Sequence, residues 1–94
     1  MKSKQKNNLL KILKTLADNT RFDITLLLAT GEKCVCKIFE KLKLPQNLVS
    51  HHLGIMRQNG LIVNRRDGKW VHYSLNKKYL REIQKLLTKI GNKI

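Results

Sequence analysis

Cys34 and Cys36, separated only by Val35, are the two thiols of this chain. A sulfur pair can ligate soft ions, cycle between dithiol and disulfide, or pack as small apolar groups. The spacing does not suit a structural zinc ribbon or a thioredoxin-type site, which place two residues between the sulfurs. If both residues lay on a regular α-helix, their side chains would point about 200° apart. Chelation of one ion would then require the first helical turn to unwind. Lys33 and Lys37, together with a helix N-terminus, are expected to favour thiolate over thiol. The three histidines form no chelate: His51 and His52 are neighbours on a predicted helix and point apart, and His72 falls in a predicted hairpin. No nucleophile has a base and an orienting group in reach, so the sequence does not read as an enzyme.

Composition limits what such a pair could serve. The 94 residues make one expected domain, 1–94, small enough that a dimer would help to bury its surface. Lys and Arg number 20 against 6 acidic residues, a net charge of +14, which points to a polyanionic partner. Nucleic acid leads, and an anionic membrane surface comes second. No apolar run is long enough to span a membrane, and "LLKILKTL" is broken by lysines, unlike a secretory core. A cytoplasmic location is therefore expected. Thiols there are kept reduced, which favours metal or redox chemistry over a structural disulfide.

The elements that must position these residues follow from periodicity and caps. Leu9, Leu10, Leu13, Leu16 and Ala17 recur at helical spacing. "ADNTRFDITLLLATG" predicts a second helix, with Asp18 or Asn19 as N-cap and Gly31 as stop. "KCVCKIFEKL" predicts a third, with Val35, Ile38, Phe39 and Leu42 on one stripe. Pro45 opens a fourth helix and Gly60 closes it. The period then changes: "LIVNRRDGKWVHYSL" predicts two strands joined at Asp67-Gly68. That register would set Arg66 against Lys69 and let Arg65 stack on Trp70. A last helix starts near Asn76, with Leu80, Ile83, Leu87 and Ile90 on one face.

In the fourth helix, Leu48, Val49, His52, Leu53 and Met56 fall on one side. Gln46, Asn47, Ser50, His51 and Gly54 fall on the other, a short, polar, uncharged face of the kind that enters a major groove. Arg57 further along suits phosphate contact, and Arg65, Arg66 and Lys69 at a hairpin tip suit phosphate or a minor groove. Helix, reading helix and basic hairpin together predict a mainly α winged helix-turn-helix.

The run from "ADNTRFDIT" through "CVC" and "VSHHLGIMRQNGLI" to "RRDGKWVHYSL" resembles the ArsR/SmtB family of metal- and metalloid-sensing repressors over about two-thirds of the chain. The resemblance implies a homodimer joined through the first and last helices and bound to two-fold operator DNA. It implies release by a thiophilic ion at Cys34 and Cys36: As(III) or Sb(III) first, then Cd(II), Pb(II), Cu(I) or Zn(II), with no cofactor required. In such families a third cysteine often follows three residues after the second, where this chain has Phe39. An acidic residue often follows the second cysteine, where this chain has Lys37, which favours a neutral metalloid hydroxide over a dication. Two other readings of the sequence stand beside this one. One is a repressor of the same fold that senses thiol oxidation. The other is an architectural nucleic-acid-binding protein with no inducer.

Overall fold

Asp18 has an extended backbone, and its carboxylate accepts the Arg21 N–H at 3.0 Å, the N-cap contact its position before "NTRFD" predicts. In this computed structural model, which describes residues 1–94, α1 (Ser3–Leu16) precedes that cap and α2 (Asn19–Leu28) follows it. The chain continues through β1 (Lys33–Cys34), α3 (Val35–Leu42), α4 (Gln46–Gln58), β2 (Ile62–Asp67), β3 (Trp70–Leu75) and α5 (Lys77–Gly91). Pro45 is the N-cap residue of α4, and Gly60, with φ +82°, takes the left-handed conformation just past its end. Asn76 caps α5 through the Lys78 N–H. Ile12, Ile24, Ile38, Leu53, Met56, Ile62 and Ile83 share one buried cluster, so all five helices and the first wing strand close on a common core.

Three expectations need correction. First, the third helix does not begin at the cysteines. Lys33 and Cys34 form a short strand, and Cys34 is the extended N-cap residue of α3 (φ −62°, ψ 144°). Two residues carry no period, so the sequence could not signal this strand. Second, the hairpin loop is Gly68-Lys69 and not Asp67-Gly68. Asp67 pairs with Trp70, Arg66 with Val71 and Arg65 with His72. Gly68 has φ +61° while Lys69 and Asp67 keep negative φ, the pattern of a two-residue turn with Gly at its first central position. Moving the loop by one residue shifts the pairing by two, so the cross-strand partner of Arg65 is His72 and not Trp70. Lys69 covers the Trp70 ring instead, its Nζ 5.2 Å from the centroid. Third, Leu48, placed on the inward face of α4, is 40% exposed, because it lies about 100° of helical phase from the buried stripe of Val49, Leu53 and Met56.

A polar network fixes α4 against the first two helices. Arg21 donates through Nε to the Thr15 carbonyl at 2.8 Å and through Nη1 to His52 Nδ1 at 3.2 Å. With Arg21 as the donor, Nδ1 is an acceptor, so the 3.8 Å approach of Asp18 to the same nitrogen is not a charged pair. At the other end of α4, Asn59 Nδ2 donates to Thr15 Oγ1 at 2.9 Å. The Arg21 N–H, aided by the Arg21 charge, holds the Asp18 carboxyl below its ordinary pKa. A depressed folded-state pKa adds stability above the unfolded value and loses it as pH falls through the folded value. Asp18→Ala is therefore expected to cost about 1 kcal/mol in urea unfolding at neutral pH. The gap between variant and wild type should close in acid. A penalty that persists unchanged when Asp18 is protonated would show that the cap acts by packing alone.

Candidate nucleic-acid interface and cysteine site

The outward side of α4 carries Gln46, Asn47, Ser50 and His51, all exposed, with Arg57 exposed at its C-terminal end. Val49, Leu53 and Met56 hold the opposite side in the core, each at most 1% exposed. His52 is half-buried and tied to Arg21, in keeping with a histidine at the core boundary. A Cβ built on Gly54 would meet nothing within 4 Å. Nothing in the fold requires this glycine, although glycine inside a helix costs roughly 0.5–1 kcal/mol relative to alanine. Arg66 and Lys69 are exposed on the wing. Arg65 is exposed too, but its guanidinium is bound to Glu32.

The cysteines are closer than a helical arrangement would allow. Cys36 Sγ lies 2.7 Å from Cys34 Sγ, well beyond the about 2.0 Å of a disulfide, and both thiols are free. Cys34 sits before the helix, where the 100° step per residue does not apply, so the two side chains meet without unwinding the first turn of α3. Donation from the Cys36 thiol, then from the Cys36 backbone N–H, holds the Cys34 thiol below its ordinary pKa. The same contact pushes the Cys36 thiol up. The shared contact thus favours thiolate at Cys34 and disfavours it at Cys36. The flanking ammonium groups are engaged elsewhere: Lys33 Nζ donates to the Gly31 carbonyl at 3.1 Å, and Lys37 Nζ lies 3.7 Å from Glu40. It is the backbone N–H of Lys37 that acts on the sulfurs. No group of three or more His, Cys, Asp or Glu side chains could hold a metal ion. The donor set within one chain is therefore two sulfurs, which fits a soft ion whose other positions are filled from elsewhere.

The family described as bacterial regulatory proteins of the arsR family matches residues 18–63, which hold α2, the cysteines and α4. A helix-turn-helix transcriptional regulator of Methanocaldococcus jannaschii is 41% identical over 81 residues, 85% of this chain and 91% of that protein. The chain belongs to the arsR family. The arsenical resistance operon repressor of Escherichia coli is 46% identical to this arsR-family chain over 68 residues, 71% of the chain. The chain spans only 58% of that repressor's length. Among solved structures, HlyU from Vibrio cholerae superposes with a TM-score of 0.80 at 27% identity, covering 95% of this chain and 97% of its own. An arsR-family member is a DNA-binding transcriptional regulator and not an enzyme, and the fold is the winged helix of that family. No helix is long and apolar enough to cross a membrane.

One residue of this arsR-family site was not singled out by sequence. Glu32 accepts from Arg65 Nη2 at 2.7 Å and from Nε at 3.3 Å. The two residues are 33 apart, and only the three-stranded register brings them together.

Proposed function

We propose that this chain is a homodimeric repressor that holds operator DNA through α4 and the wing and lets go when a thiophilic metalloid binds Cys34 and Cys36. The observation that carries the reading is the convergence of the two sulfurs on the segment that joins the wing sheet to α3. As(III) or Sb(III) is the favoured inducer, ahead of Cd(II), Pb(II), Cu(I) and Zn(II), since two sulfurs followed by Lys37 in place of an acidic residue suit a neutral hydroxide. The name of the E. coli relative points the same way. Two thiols lose their protons to two displaced hydroxides, and two metalloid–sulfur bonds replace two metalloid–oxygen bonds. The third position stays with hydroxide, a small thiol or a donor from the second subunit. On the DNA side, Gln46, Asn47, Ser50 and His51 read base edges, and the open Cβ position of Gly54 admits close approach. Arg57, Arg65, Arg66 and Lys69 hold phosphate or the minor groove. Leu48, exposed beside Asn47, suits a thymine methyl. The dimer forms through α1 and α5, whose Leu10, Leu13, Leu87 and Ile90 are 38–58% exposed and line up an apolar face without a partner in the chain.

Titrating labelled duplex from the chain's own promoter with protein tests the DNA half. Affinity should fall steeply with salt, and Arg66→Ala with Lys69→Ala should flatten the log–log slope by about 2. Equal affinity for promoter and random duplex at every salt concentration would leave the architectural reading. A thiol-oxidation switch is the second reading, favoured by the short sulfur–sulfur approach and the lowered Cys34 pKa. There, peroxide would take two electrons and two protons from the pair, giving a disulfide and two waters. Release by peroxide but not by arsenite would select it.

A further inference from the structure

The wing and the cysteine segment are joined by more than the strand ladder. The sheet order is β1-β3-β2, so the cysteine strand and the Arg65 strand are both edges flanking β3. Cys34 lies opposite His72, and His72 lies opposite Arg65, so these three residues form one cross-strand row on one face. Across this row Glu32, two residues before Cys34, takes both donors of the Arg65 fork. The two edge strands are therefore tied by a two-point ion pair that spans the middle strand. Nη1 of Arg65 takes no part in that pair and remains available to a phosphate.

We propose that Glu32 is a positioning residue that holds Arg65 for DNA and transmits occupation of the cysteine pair to the wing. The proposal rests on the sensing role given to Cys34 and Cys36 above. β1 is the shortest element of the fold, two residues held to β3 by two pairs. Cys34 is both the end of that strand and the cap of α3. Ligation replaces the direct contact between the two sulfurs with two bonds to one shared atom. The sulfurs then take the spacing the bound atom sets, and the displacement of Cys34 falls on the two-residue strand that Glu32 immediately precedes. Losing Glu32 frees the Arg65 side chain to swing, and its contact with DNA becomes entropically costly. The pair itself contributes little to folding, because its side chains are 37% and 55% exposed. Variants at these positions are therefore expected to fold.

The test uses the full-length protein with potassium antimonyl tartrate as probe. Metalloid binding is followed by thiolate–antimony absorbance, and affinity for promoter DNA by anisotropy. Glu32→Ala and the isosteric Glu32→Gln should bind antimony with wild-type stoichiometry. Their ratio of DNA affinities without and with antimony should shrink by at least about fivefold. Arg65→Ala should shrink it to the same extent, and the double variant Glu32→Ala, Arg65→Ala no further, since both act through one contact. A wild-type ratio in both Glu32 variants overturns the proposal and leaves the sensing role standing. Failure of antimony to release wild-type protein overturns the sensing role and this link with it. Additive losses in the double variant would also overturn the link, because they would place Glu32 and Arg65 on separate routes.

Discussion

Changing either Cys34 or Cys36 to serine will leave promoter binding within about twofold of wild type and abolish release by arsenite; surface substitutions away from special features usually change stability by less than about 0.5 kcal/mol. Neither sulfur faces the outward side of α4, so the reading surface is untouched. Folding should survive too. Cys34 caps α3 without a side-chain hydrogen bond, and serine is a preferred residue at an N-cap. Cys36 is exposed, so its hydroxyl would be solvated. Release, by contrast, needs both sulfurs. Moving a two-state population from 1:99 to 99:1 takes about 5.5 kcal/mol of differential binding. Two metalloid–sulfur bonds can supply that, and one bond with no chelating partner does not hold the ligand against exchange with solvent and small thiols. The measurement is an arsenite titration of the protein on labelled promoter, with wild type and both variants side by side. Release of either variant at the wild-type arsenite concentration would remove the cysteine pair as the sensor.

Leu53→Ala is expected to have the largest effect on folding. Leu53 is 1% exposed on the inward side of α4, between Val49 and Met56 in the core cluster. Truncating a buried leucine leaves a cavity and costs about 2–5 kcal/mol. A domain of this size holds only about 5–15 kcal/mol in total. The thermal midpoint should therefore fall by roughly 8–40 °C, since each kcal/mol is worth about 4–8 °C in a chain this short. Leu48→Ala is the internal control. It removes the same atoms from a site 40% exposed on the same helix, so its midpoint should move little. If Leu48→Ala instead weakens promoter binding at unchanged stability, its exposed side chain is part of the reading surface. Equal destabilisation by the two changes would contradict the placement of α4 on the core.

The parts of this fold that sequence reveals are those written in local chemistry. Asp18, Pro45, Gly60 and Asn76 mark helix ends through hydrogen bonds and backbone angles that depend on a few neighbours, and each is found where its residue type predicts. The inward stripe of α4 was legible in its middle at Val49, Leu53 and Met56. It failed at Leu48, which lies about 100° of helical phase off that stripe, while Val49 beside it is fully buried. The hairpin was legible as a hairpin. Its register was not, because Asp-Gly and Gly-Lys both satisfy a two-residue turn, and the choice depends on pairing along both strands. Arg65 shows the cost: moving the loop by one residue changed its cross-strand partner from Trp70 to His72, and its guanidinium binds Glu32. The direction of the cysteine side chains depended on whether Cys34 was the first residue of a helix or the last of a strand. That was decided by β3, about forty residues downstream, through the pairing of Lys33 with Tyr73 and Cys34 with His72.

That junction also bears on timing. A pair of sulfurs on successive faces of a closed helix would be available only in the rare moments when the end frays, and capture would be slowed by that fraction. Here Cys34 is held extended by its pairing with His72, and its sulfur already meets that of Cys36. In the sensing role proposed above, an arriving metalloid would find both donors side by side at every encounter. In that role the pace of capture would be set by how quickly the arriving species sheds its own hydroxide or water, since no helical turn has to open first.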